Sequence, residues 1–169
     1  MPFAPIDLTK SGNIQYSLRR LAREARPFLS IIHLAFSGTY RVGSGGKPDA
    51  HYIRGIVTIT NDIWRPSGII LDLTHLSYEW GDEMELVLEA PSNHPFAIVV
   101  SPLCEPAISS LCCAGTPSKS VLDREDFFDS FESAFQYLRQ QVVQEWHALL
   151  AKYPEGTERT DLINVSDLE

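Results

Sequence analysis

Six consecutive residues, Tyr78-Glu79-Trp80-Gly81-Asp82-Glu83, set two large aromatic side chains beside three carboxylates, and Glu85 adds a fourth acid. Three kinds of chemistry suit such a set. Carboxylates act as general acid and base when burial shifts one of them, or when two are held close with a substrate between. Several converging oxygens hold a hard cation. Aromatic side chains with a charged surround make a protein interface, with the rings as anchors and the charges as rim. If a helix begins early enough here, Glu79 and Glu83 share one face and Asp82 and Glu85 another. Acids are favoured at a helix start by the helix dipole alone, so their number does not make a catalytic or metal site. The aromatic pair tips the reading to recognition, the alternative being that one or both rings fold back into the core. Tyr78, Glu79, Trp80, Asp82 and Glu83 are therefore the candidate partner-binding residues, with no catalytic residue, metal or cofactor assigned.

The other reactive residues form no known constellation. His75 follows Asp72 by three positions, which places the two on opposite faces of an extended strand. The chain has no G-x-S-x-G elbow and no H-x-x-x-H or H-E-x-x-H spacing, and its histidines, His33, His51, His75, His94 and His147, are scattered. Cys104, Cys112 and Cys113 lack a C-x-x-C spacing for zinc, and adjacent cysteines rarely pair, so buried or half-buried free thiols are expected. The stretch RVGSGGKPD (41–49) has a lysine after glycines, but Pro48 and the glycine interval break the phosphate-loop pattern, which leaves a flexible connection. The alternative to a binding surface is a small enzyme or ligand-binding protein in which Glu79, Asp82 and His75 line a pocket at the end of the central strand.

That central strand is the element that must position the set. Gly68 ends a turn, and Ile69, Ile70, Leu71 and Leu73 form an apolar run of the kind buried on both faces. A central strand that passes through a polar turn into a helix is where an α/β protein exposes functional groups. Around it, Asn13–Arg26 reads as a helix, with Ile14, Leu18, Leu21 and Ala25 on one stripe. Arg19, Arg20, Arg23 and Arg26 lie off the stripe, where they form a solvated face or contact phosphate. A short strand is placed at Ile6–Leu8 and a longer one at Phe28–Thr39. Ala50–Trp64 fits a helical face or, through Val57-Thr58-Ile59-Thr60, a strand. A helix is predicted over Gly81–Ala90 and a strand over Phe96–Ser101. A helix opening at Glu105-Pro106 and closing at Gly115 follows, then a short strand at Ser118–Leu122. The longest helix spans Asp123–Ala151, with Phe127, Phe128, Phe131 and Phe135 in its core stripe.

The alternation predicts an α/β fold with a mixed sheet. Its order and one phrase resemble the STAS domain of bacterial anti-sigma-factor antagonists. There a strand ends in D-L-S-x-V-x-Y-I-D-S-S-G-L and runs into a helix. Here Asp72, Leu73, Leu76 and Tyr78 stand where that pattern has Asp, Leu, an aliphatic and Tyr. The resemblance covers roughly residues 28–140. It implies a STAS-like mixed sheet with helices packed on it, makes Ala50–Trp64 the helix between the first two strands, and leaves an N-terminal helix and a long C-terminal helix as additions. The family's phosphorylatable serine falls near Gly81 or Asp82, so a kinase-controlled switch is not expected. One domain over residues 1–153 and a flexible tail over 154–169 complete the expected organisation.

Composition bounds the partner. At 169 residues, 44% hydrophobic and 21% charged, the chain is ordinary for one globular domain. No apolar run reaches about 18 residues, the length a membrane helix needs, and MPFAPIDLTKSG does not resemble a secretory leader, so a cytoplasmic protein is expected. The net charge of −8 is divided as +4 over residues 1–50 and −12 over 51–169. An acidic body disfavours nucleic acid and anionic membranes and favours fast encounter with a basic protein. The expected function is a non-catalytic module that sequesters or regulates a partner protein. It would be either a regulator of the anti-sigma-antagonist kind or an immunity protein or antitoxin that blocks a basic toxin such as a nuclease.

Overall fold

Ile69, Ile70 and Leu71 are fully buried because their strand, β4 (Gly68–Ser77), has a neighbour on each edge and helices over both faces. The computed structural model describes residues 9–23, 26–89, 94–113 and 119–152. The expected strand at Ile6–Leu8, the stop at Gly115 and the tail from residue 154 lie outside them. The sheet follows chain order, β1 (Lys10–Ser11), β2 (Ile14–Arg23), β3 (Arg26–Thr39), β4, β5 (Phe96–Val99) and β6 (Phe127–Phe128). β1, β2 and β3 pair antiparallel, and β3 to β6 pair parallel, so the fold is α/β with a mixed sheet.

Each parallel step is bridged by helix, as a same-direction return requires. The bridges are α1 (Lys47–Trp64), α2 (Glu85–Leu88) and α3 (Glu105–Cys112). Ala50, Ile53 and Val57 of α1, Val87 of α2 and Ile108 of α3 share one core with Ile32, Leu34, Phe36, Leu71, Leu73 and Ile98. The alternate strand residues Ile31, Ile70, Ala97 and Val99 point to the other face, where Ala134, Leu138, Val142 and Val143 of the long helix α4 (Phe131–Lys152) cover them. Two cores on opposite faces of one sheet follow from the period-2 alternation of strand side chains.

Ala50–Trp64 is helical, as the resemblance implied, and Arg65 closes the helix in the left-handed conformation at φ 40°. Other expectations are corrected. Residues 14–23 form β2, not a helix. Ile14, Tyr16 and Leu18 fit a two-residue period while Ile14, Leu18 and Leu21 fit a helical one, and the long apolar strand β3 offers a paired edge that takes up the backbone N–H and C=O groups of β2. Residues 121–123 are a 3-10 turn, capped by Ser120 and Asp123 in a reciprocal box, where a strand was expected. The closing strand is instead Phe127–Phe128, so the long helix starts at Phe131 and the phenylalanine stripe is divided between β6 and α4. The helix expected over Gly81–Ala90 is a 3-10 turn, Asp82–Met84, continued by the single turn α2. Cys104 is buried, Cys112 and Cys113 are half-buried, and all three are free thiols, as expected.

Candidate functional site

The turn that leaves β4 is held from below by the glycine-rich segment after β3. Tyr40 N–H donates to the Ser77 carbonyl (2.9 Å), and Gly43 N–H donates to the Trp80 carbonyl (3.1 Å). Residues 43–46 form a 3-10 turn, and a Cβ on Gly46 would lie 2.1 Å from Tyr40 Cε1 and 2.3 Å from the Arg41 carbonyl oxygen. A Cβ on Gly43 would lie 2.8 Å from Trp80 Cη2. The glycines thus form a packed shelf, which corrects the expectation of a flexible connection. Arg41 fastens the shelf to α1: its backbone N–H and its Nε each donate to Asp49 Oδ2 at 2.9 Å, and Asp49 is only 1% exposed.

Tyr78, expected at the contact surface, belongs to the core. It is 3% exposed, its ring meets Tyr40 edge-on at 5.2 Å, and its hydroxyl donates to the Gly81 carbonyl at 2.8 Å. The inward phase of Leu76 continues through Tyr78, because the alternation of β4 persists past its last ladder residue. Burial, joined by the charges of Asp82 and Glu83, pushes the Tyr78 phenol up to about 12, and burial raises Tyr40 as well. The turn closes through Gly81 at φ 152°, ψ 120°.

Outside this buried pair, Trp80 is 58% exposed, and Glu79 and Asp82 are exposed beside it. Together with Gly81, the edge of Tyr78 and the side of α3 at Ala107, Ser110 and Leu111, they line an open cleft of about 340 Å³. Among the described residues neither Glu79 nor Asp82 has a cationic partner. Glu83 is half-buried and is not part of the cleft wall. The cleft can take a cationic side chain: an indole face and two carboxylates suit a guanidinium or ammonium. His75 is exposed on β4 and does not line this cleft, so the set Glu79, Asp82 and His75 is not assembled into one pocket.

A second polar group lies on the sheet face that α4 covers. Nε2 of His33, on β3, stands 2.9 Å from Oδ2 of Asp72, on β4. Oδ1 of Asp72 accepts from the Thr74 backbone N–H (2.9 Å) and the Thr74 hydroxyl (2.6 Å). Burial works against the Asp72 carboxylate, but the hydrogen bonds from His33 and Thr74 outweigh it and hold the carboxyl below the usual carboxylate range. The His33 ring packs edge-on against Phe131 at 4.9 Å, and Phe131 stacks on Phe135. Sequence reasoning paired Asp72 only with His75. The parallel register that brings His33 beside Ile70, one diagonal from Asp72, is not written in either strand alone.

No protein-family model matches the chain, and no curated protein matches it in sequence.

Proposed function

We propose that the protein is a non-catalytic binding module that captures a basic protein partner through the Trp80 cleft. The observation that carries the reading is the pairing of a largely exposed indole, backed by the Gly43 shelf, with two carboxylates, Glu79 and Asp82, that have no cation among the described residues. An aromatic anchor with an acidic rim fits an arginine- or lysine-bearing surface. The net charge of −8 would speed encounter with such a partner.

Two uses fit. The first is a regulator of the STAS kind. A hairpin leading into alternating parallel strands and helices, with the D-L-x-x-L-x-Y phrase ending the central strand, supports this likeness. At the position of the family's serine, Gly81 adopts a conformation that a serine would find strained, and Asp82 carries a standing charge. The contact would therefore be constitutive. The second use is an immunity protein or antitoxin against a basic toxin, which the charge supports. The test is affinity capture from the source cell with immobilised wild type, Trp80→Ala, and Glu79→Lys with Asp82→Lys. The reading expects a basic protein retained by the wild type and lost from both variants. Its identity, toxin or sigma-factor regulator, then selects the use. Equal retention by all three proteins would refute the cleft as the contact.

A further inference from the structure

We propose that the groove between β2 and the start of α4 is a binding site for a small aromatic monocarboxylate. The helix α4 packs on β4, β5 and β6, and the same face of β2 and β3 is left less covered. There a groove of about 260 Å³ opens, with Ile31 and Ile70 as floor and Leu21, Phe131 and Phe135 as walls. This volume is near the lower end for small-molecule sites, enough for one ring and a short chain. The walls are apolar, Leu21 is 37% exposed, and the stacked pair Phe131 and Phe135 offers an aromatic surface.

The polar groups choose the ligand's charge. Arg19 lies opposite His33 in the antiparallel register of β2 and β3, so both side chains belong to the groove's face. Arg19 makes no ion pair or hydrogen bond among the described residues, although the protein as a whole is strongly acidic. His33 is fixed by Asp72 through Nε2, and its Nδ1 has no hydrogen-bond partner among the described residues. Asp72 is itself occupied by His33 and Thr74. An apolar trough with one uncompensated cation at its rim matches a ligand with an apolar ring and a single anionic head. The ring would lie on Phe131 and Phe135, and the carboxylate would reach Arg19 in a charge-assisted, bidentate contact. A cationic or polyanionic ligand is disfavoured: among the described residues no carboxylate lines the groove, and Arg20, the other arginine at its rim, has its guanidinium over the Trp64 ring, 5.5 Å from the centroid.

The experiment is a pair of NMR titrations of the full chain at pH 7 with 3-phenylpropionate and with 3-phenyl-1-propanol, its uncharged analogue. The expected result is saturable binding of the carboxylate, with amide shifts centred on Arg19, Leu21, His33 and Phe131, and affinity for the alcohol lower by about tenfold, the value of one charge-assisted hydrogen bond. Arg19→Gln should remove that difference and leave alcohol binding unchanged. Leu21→Ala should weaken both probes alike. Both side chains are exposed, so the variants should keep the wild-type melt. Equal affinity for the two probes, an unaltered carboxylate affinity in Arg19→Gln, no saturation with either probe at millimolar concentration, or shifts centred on the Trp80 cleft would each overturn the proposal.

Discussion

His33 and Asp72, separated by 39 residues in the chain, meet at 2.9 Å across the β3–β4 ladder and tie the sheet to the first turn of α4 through Phe131. The Asp72 carboxyl is held below the ordinary range in the folded protein. A group with a depressed folded pKa stabilises the fold above its unfolded value, about 3.9 for Asp, and that stabilisation is lost as the pH falls through the folded value. Asp72→Asn should therefore lower stability by about 1–3 kcal/mol at pH 7, and the gap from the wild type should close as the pH is taken below 4. Urea unfolding at pH 7 and pH 3 measures it. A gap of the same size at both pH values would mean that the carboxylate's charge does not matter.

The glycines make a contrasting prediction. Gly46 is enclosed by Tyr40 and the Arg41 carbonyl, whereas a Cβ at Gly55, on the outer side of α1, meets nothing within 4 Å. Gly55→Ala should raise stability by about 0.5–1 kcal/mol, the helix propensity difference. Gly46→Ala should lower it by about 2 kcal/mol or more, because the tyrosine or the shelf must move. Thermal melts rank the two. A neutral Gly46→Ala would show that the shelf is not packed as described.

Much of this arrangement was legible in the sequence, and the misses have physical causes. The run Ile69–Leu73 announces a doubly covered strand because both of its side-chain phases are apolar. The first strands are harder. In β2 the residues Ile14, Tyr16 and Leu18 fit a period of 2, while Ile14, Leu18 and Leu21 fit 3.6, and the choice is made by β3, which no local window contains. The phenylalanines at 127, 128, 131 and 135 fall at helical spacing across a real boundary. Ser130, whose hydroxyl accepts from Ser133 N–H at 3.4 Å, marks the start of α4 and was the available signal. Trp80, Glu79 and Asp82 stand out by residue type alone, and the fold leaves all three exposed around one cleft. Tyr78 turns inward because the alternation of β4 continues past Leu76, beyond the last ladder residue. The pairing of His33 with Asp72 depends on strand register, which neither composition nor periodicity specifies.

Tyr78 gives a prediction at alkaline pH. Its phenol is pushed up to about 12 by burial, against about 10 in an unfolded chain. A group with a raised folded pKa contributes stability that is complete below its unfolded value and disappears as the pH rises through the folded one. The wild type should therefore lose stability between about pH 10 and 12. Tyr78→Phe should cost about 0.5–1.5 kcal/mol at pH 8, for the lost bond to the Gly81 carbonyl, and should lose less than the wild type over the alkaline range. Guanidinium unfolding at pH 8 and pH 11 tests this. Parallel losses in the two proteins would remove Tyr78 from the account, leaving the equally buried Tyr40 as the titrating phenol.

The Trp80 cleft predicts different kinetic signatures for its ring and its charges. The indole is backed by Gly43 and stands at the rim, so a partner side chain that enters the cleft must bury it. Trp80→Ala should weaken binding of the basic partner by about 2 kcal/mol or more, and the loss should appear as faster dissociation, because the anchor acts after docking. Glu79 and Asp82 are exposed and act at longer range. Replacing both with lysine should slow association, and the difference from the wild type should shrink as salt rises and screens the charges. Glu83 is half-buried and close enough to Tyr78 to raise its phenol, so it is left unaltered to keep the fold out of the comparison. Surface-plasmon kinetics against the captured partner at two ionic strengths, with thermal melts as control, separate the two effects. If the melts are intact and neither variant changes either rate constant, the interface lies elsewhere, and the acidic segment Asp123–Asp129 that precedes α4 is the next surface to alter.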